Sequence, residues 1–292
     1  MAHEGTITVL VFCIAVLAIV AAGAGILSNQ GPGPYPYRSI RGDTVAIYGR
    51  GIYRHMSAEV APQGIAQDYV TLGLGLPLLL IALFWARSGS LRGRFLLAGS
   101  LGYFLVTYLF YLLMGMYNAL FLAYVALLCS AFFAFALTLR TFDVARLASS
   151  FDPRTPVKIA GGFLVFVALS IAVLWLTIVL PPWLDGSIIP RQVEHYTTLV
   201  VQGLDLAILL PVAAVAGVLF MQKQPFGYLL APIYLIFLAL LMTALNAKVI
   251  AMGMLQYDVM PVIFIIPAFN LLAIAGALLV VKNIVPIPSA NG

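Results

Sequence analysis

Residues 197–221 read TTLVVQGLDLAILLPVAAVAGVLFM, a run of Leu, Val, Ala and Ile interrupted by a single ionisable side chain, Asp205. As a helix rising 1.5 Å per residue, such a run is about 37 Å long, enough to cross the ~30 Å hydrocarbon layer of a bilayer. Seven further runs of this kind lie at about 6–28, 69–87, 94–114, 118–139, 157–180, 226–252 and 259–282. The chain is therefore expected to be an all-α polytopic transmembrane bundle of about eight spans, forming one transmembrane domain. A long outer loop is expected at about 29–68 and an inner linker at about 140–156.

Composition points the same way. The 292 residues are 63% hydrophobic and 9% charged, with mean hydropathy +1.07, whereas soluble domains carry about 25% charged residues. A net charge of +5 raises the question of nucleic acid, but the basic residues sit in short gaps between apolar runs. They read as topology signals, and no nucleic-acid partner is expected. Cys13 and Cys129 fall inside apolar runs without metal or redox spacing and are assigned to packing. The first run could be an apolar signal core, but Glu4 precedes it and no Lys or Arg does, so it is expected to stay as the first span.

With an inner N-terminus, the inner segments hold Arg87, Arg92, Arg94, Arg140, Arg146, Arg154, Lys158, Lys223 and Lys282, nine in all. The outer segments hold Arg38, Arg41, Arg50, Arg54 and Arg191, five in all, four of them in the one long loop. Short cytoplasmic loops attract Lys and Arg, so both termini are expected in the cytoplasm and the protein in the cell membrane. Trp85, Trp183, Tyr117 and Tyr196 fall at expected span ends, where aromatic rings favour the headgroup level.

Shifting the chain against itself by 134 residues lays Pro77 on Pro211 and Gly93 on Gly227, with Leu72, Leu76, Ala82 and Leu96 on Leu206, Leu210, Ala216 and Leu230. The second and third spans thus echo the sixth and seventh, which raises a four-plus-four duplication with parallel halves and any site between them. The tract from Gln202 through Asp205 and Pro211 to Gly227-Tyr228-Leu229-Leu230-Ala231-Pro232, together with Gly89-Ser90-Leu91-Arg92-Gly93, resembles segments of uncharacterised prokaryotic multi-pass membrane proteins. The resemblance covers the spans from the second onward and implies a membrane protein with no particular activity.

Ionisable groups within spans are costly and mark functional candidates. Asp205 is one, with Gln202 one turn earlier on the same face; Lys248 is the other, and is expected either to pair with Asp205 or to snorkel outward. Asp68 at the start of the second span and Asn118 at the start of the fourth stand at the outer rim, and Asn270 lies deeper in the eighth span. These six form the expected ligand-binding set. In the third span Tyr103, Thr107 and Tyr111 share a face and are expected to bond to neighbouring helices. Tyr48, Arg50, Tyr53 and Arg54 of the long loop are expected to meet lipid headgroups or a partner protein.

The three histidines lie far apart, and no phosphate-binding loop or nucleophile elbow occurs, so no metal, cofactor or catalytic residue is expected. Two functions lead: binding or transport of an ion or small molecule through an outward-facing polar site, or a non-catalytic scaffold anchoring a larger membrane complex through the outer loop; an integral-membrane enzyme acting on lipid comes third.

Overall fold

The structure, a computed structural model, describes residues 3–285. Eight helices among them are long and apolar enough to cross a membrane. They are α1 (Glu4–Leu27), α2 (Val60–Arg87), α3 (Leu91–Met114), α4 (Phe121–Leu139), α5 (Val157–Leu184), α6 (Val200–Met221), α7 (Pro225–Met254) and α8 (Val262–Lys282). The protein is an all-α, multi-pass integral membrane bundle. Between α1 and α2 the chain forms a small hairpin, β1 (Tyr35–Arg38) paired antiparallel with β2 (Thr44–Ile47).

The even number of crossings puts Glu4 at the start of α1 and Lys282 at the end of α8 on one face, the terminal face. There Arg87 pairs with Glu4 at 2.9 Å and Arg92 donates to the carbonyls of Lys282 and Ile284. The hairpin covers the opposite, capped face. Helices α3 and α7 run through the centre and pack on each other; α2 and α4 flank α3, α1 packs on α4 and α2, and α5, α6 and α8 complete the side of α7. Lipid-facing surface is correspondingly apolar, with Phe132, Phe133, Leu169, Val173, Leu271 and Leu278 exposed. Cys13 and Cys129, expected in the packed interior, are exposed on this outer surface instead; a small thiol is apolar enough to sit there without cost.

The 134-residue echo has a structural counterpart. A single π-helical turn interrupts α2 at Thr71–Gly75 and α6 at Asp205–Leu209, each immediately before a Leu-Pro pair, Leu76-Pro77 and Leu210-Pro211. Proline lacks an N–H and its ring collides with the carbonyl four residues earlier; one wider turn makes room for it without breaking the span. The two glycines of the echo are also explained. A Cβ on Gly93 would sit 2.6 Å from Ala86 N, and one on Gly227 would run into the backbone of Leu219 and Phe220, so both glycines let a span fold tightly back on the preceding one.

Span ends match the expected ones within a few residues except for α2, which begins at Val60 rather than near 69. Its first turns, Val60–Val70, carry Gln63, Gln67 and Asp68, and the polar load hides them from a hydropathy reading. They are helical because Gln67 and Asp68 find partners on other elements and Gln63 bonds back to the Glu59 carbonyl, and Pro62 sits in the first turn, where its missing N–H costs nothing. Asp68, expected at the rim, therefore lies inside a span.

Candidate functional site

Asp68 is 1% exposed. Its Oδ2 accepts a 2.6 Å hydrogen bond from Tyr53 in the loop before α2, and its Oδ1 a 2.9 Å bond from Tyr111 of α3. Next to it, Gln67 Nε2 donates to Tyr103 at 2.8 Å and to Thr107 at 3.2 Å, while the Thr71 hydroxyl meets Tyr103 at 2.9 Å. The Tyr103, Thr107 and Tyr111 stripe thus bonds to a neighbouring helix, and that helix is α2. From α1, Gly25 closes over the carboxylate so tightly that a Cβ there would run into Asp68 Oδ2 and lie 2.9 Å from the Tyr53 hydroxyl.

Tyr53, expected to meet headgroups or a partner, turns inward instead and is 3% exposed. A buried carboxylate needs donors, and this loop tyrosine supplies one. Burial together with the charge of Asp68 holds the Tyr53 hydroxyl well above the usual tyrosine range, so it stays a neutral donor. Of its companions, Tyr48 is half-buried against the same small cluster, whereas Arg50 and Arg54 remain at the surface, as expected.

On the other side of the bundle, Asp205 Oδ2 accepts a 2.8 Å hydrogen bond from Trp175 Nε1 of α5. The expected Asp205–Lys248 pair is not formed: the ion pairs among the described residues are Arg41–Asp43, Arg87–Glu4 and Arg146–Asp143. Lys248 of α7 is instead within electrostatic reach of both carboxylates, Asp68 and Asp205. Counted from the nearest helix end, all three stand about 8 to 12 Å inside the capped face. Two acids and one amine, drawn from α2, α6 and α7, therefore share one intramembrane neighbourhood.

The other three expected ligands are engaged elsewhere. Gln202 lines a cleft of about 650 Å³ between α5, α6 and the hairpin, walled by Ile40, Leu180, Trp183, Ile189 and Leu206. Asn118 shapes the turn before α4, accepting from Leu120 N at 2.9 Å. Asn270 bonds to Thr243 of α7 at 3.2 Å and joins α8 to the bundle. Asn118 and Asn270 are thus held by hydrogen bonds to their neighbours, while Gln202 faces the cleft.

A cap stands over the acid–amine–acid set. His195 meets the His55 carbonyl at 2.8 Å, Ser57 N donates to Tyr196 at 3.2 Å, Arg41 donates to the Ile189 carbonyl, and Tyr37 meets His195 edge-on. The loop before α2 and the α5–α6 connection thus close on each other. Burial pushes the Tyr196 hydroxyl up to about 12, so it too stays neutral and accepts from Ser57. Among the described residues, no group of three or more His, Cys, Asp or Glu could hold a metal ion.

The tyrosine stripe and the Asp205 and Lys248 charges were legible in the sequence; Tyr53 was expected at the surface and lies on Asp68, and Gln67 and Trp175 were missed. The signal for Gln67 was present, because Gly64, Gln67, Asp68 and Thr71 follow helical spacing and form one polar face. No family model matches this chain, and no curated protein and no solved structure matches it either.

Proposed function

We propose that this protein binds an ion or small polar solute at a site between its two sides and moves it across the cell membrane, with both termini in the cytoplasm. The observation that carries the reading is the juxtaposition of Asp68, Lys248 and Asp205 from three helices at membrane depth, with no ion pair joining them. A charged side chain in a span costs roughly 2.5–3.5 kcal/mol on insertion scales, and structural needs alone are met more cheaply by uncharged residues. Lys248 serves as an internal counter-charge shared by two acids, which an entering cation or a proton displaces in part. The π turns at Thr71–Gly75 and Asp205–Leu209 support the same reading, since such turns put give into a helix beside the groups that act.

The orientation rests on nine Lys and Arg on the terminal face, spread over short connections and chain ends, against five on the capped face, four of them in one long loop. The site then opens outward once the cap lifts.

Currents from proteoliposomes on a solid-supported membrane, stepped separately in H⁺, Na⁺, K⁺ and Cl⁻, test the proposal. The wild type is expected to respond to at least one ion, and Lys248→Met and Asp205→Asn to abolish the response while the protein still inserts. Silence toward all four, together with a stoichiometric protein co-purifying from the native membrane, would favour a scaffold. That second reading has its own observation, the exposed rim of Tyr35, Tyr37 and Ile40 beside Arg50 and Arg54.

A further inference from the structure

On the terminal face, far from the acid–amine–acid set, the turn between α2 and α3 and the segment after α4 enclose a cleft of about 680 Å³. Arg92, Arg94 and Arg146 line it against one acid, Asp143, together with Ser90, Thr141 and Ser150. The construction is specific. Ser90 caps α3, accepting from Gly93 N at 3.2 Å, and Gly89 holds φ +86° so that the chain can turn there. Val285 N donates to Ser150 O at 2.8 Å and Phe151 bridges to Ile284, which fixes the opposite wall.

Two polar groups in this wall have nothing to bond. The Ser150 hydroxyl is 0% exposed and without a hydrogen-bond partner. The Nε of Arg94 is buried and likewise unpartnered, although the other end of the same guanidinium donates to the Thr141 carbonyl at 2.9 Å. A buried donor left unmade costs about 1–3 kcal/mol, more when charged, so two in one cleft point to an acceptor that occupies it. With Arg146 paired to Asp143, the charges of Arg92 and Arg94 remain to be offset, so the acceptor is anionic, and planar guanidinium edges match phosphate oxygens two at a time.

We propose that this cleft binds a phosphate mono- or diester, held by Arg94 and Ser150 within and by Arg92 and Arg146 at its mouth. Its level in the molecule favours the headgroup of an anionic lipid as the source. Trp85, 40% exposed at the end of α2, lines the cleft and marks the interfacial plane where lipid phosphates lie. A soluble phosphate ester offers the same chemistry from the aqueous side.

Delipidated protein in a neutral detergent is titrated with dioleoylphosphatidylglycerol, dioleoylphosphatidylcholine, glycerol 3-phosphate and inorganic phosphate, binding being read by calorimetry. Phosphatidylglycerol is expected to bind at least about tenfold more tightly than phosphatidylcholine, and Arg94→Gln to weaken it by about tenfold or more, as for a lost charge-assisted bond. Arg146, with a side chain 78% exposed, provides a second variant that leaves folding intact, and Arg146→Gln is expected to weaken binding in the same direction. Arg140→Gln, exposed on the same face but outside the cleft, is expected to change nothing. Binding of glycerol 3-phosphate or phosphate in place of the lipid, with the same variant pattern, supports the site and assigns it to a soluble ester. The proposal is overturned if none of the four probes binds, or if Arg140→Gln weakens binding as much as Arg146→Gln.

Discussion

Tyr53, at the end of the loop that caps the bundle, reaches Asp68 inside the second span through a hydrogen bond of 2.6 Å. One side of the bond belongs to the cap and the other to a spanning helix, so cap position and carboxylate environment are mechanically joined. Tyr53→Phe removes the donor and leaves the ring. A hydrogen bond to a charged group contributes about 1.5–3 kcal/mol, and the unfolding midpoint of the purified protein is expected to fall accordingly. An unchanged midpoint would mean that Tyr111 alone satisfies Asp68 and that the cap is not latched there.

Gly25 makes the same contact from the third side. A methyl group there collides with Asp68 Oδ2 and crowds the Tyr53 hydroxyl, while one on Gly23 meets nothing within 4 Å. Gly25→Ala is expected to destabilise the protein by about 1–3 kcal/mol through overpacking. Gly23→Ala, on the same helix, is expected to be neutral or slightly stabilising, since alanine is the better helix former. Equal effects of the two substitutions in the same unfolding assay would show that α1 does not close on Asp68.

The cap should respond to pH through Glu59, just before α2. Burial and the neighbouring Glu194 raise its carboxyl above the ordinary 4.5. Glu194 is held at φ 51°, and Tyr196 and Tyr257 face the same two acids. A carboxyl raised in the folded state takes up a proton on folding. Its stabilising contribution is full below 4.5 and is lost as pH climbs through the raised value. This contribution of Glu59 to stability is therefore expected to fall modestly on going from about pH 4 to about pH 7, the size being limited by its solvent exposure. Glu59→Gln should remove this fall from the pH dependence of the unfolding midpoint, and an identical dependence in the variant would assign the pH response to other groups.

How far the sequence could be read depended on where polar groups found their partners. Runs such as 197–221 and 226–252 are apolar apart from a few polar side chains, and lipid imposes helix on any span because every backbone group must be bonded within it. The start of α2 escaped because Gln63, Gln67 and Asp68 lower the local hydropathy, and the partners of Gln67 and Asp68 lie on α3 and in a loop residue fifteen positions before Asp68, Tyr53. Proximity in sequence misled in the case of Lys248. The short turn at Gln222-Lys223-Gln224 does place α6 beside α7, yet the Asp205 carboxylate bonds to Trp175 on α5. An indole donor satisfies an acid without a second buried charge, and nothing in the spacing of Trp175 announces it. The 134-residue echo was visible as prolines and glycines, and its physical content, two π turns that accommodate those prolines, required the backbone.

The Trp175–Asp205 bond can be measured apart from any transport role. Trp175→Phe removes the Nε1 donor, which is 2.8 Å from Oδ2, and leaves the carboxylate facing Lys248 without a bonded partner. Asp205→Asn keeps the shape and discards the charge. In a double-mutant cycle the two substitutions are expected to couple by about 0.5–3 kcal/mol, because the amide no longer offers the charged acceptor that makes the indole bond strong. Trp175→Phe alone should cost more than Trp175→Phe in the Asp205→Asn background, since only in the first case is a buried carboxylate left exposed to hydrocarbon. Lys248→Met sharpens the comparison: with the amine gone, Asp205 depends on Trp175 alone, and the penalty for Trp175→Phe should rise. Additive costs in all three backgrounds would mean that indole, acid and amine do not form one unit, and the reading of Asp68, Lys248 and Asp205 as a shared site would lose its second side.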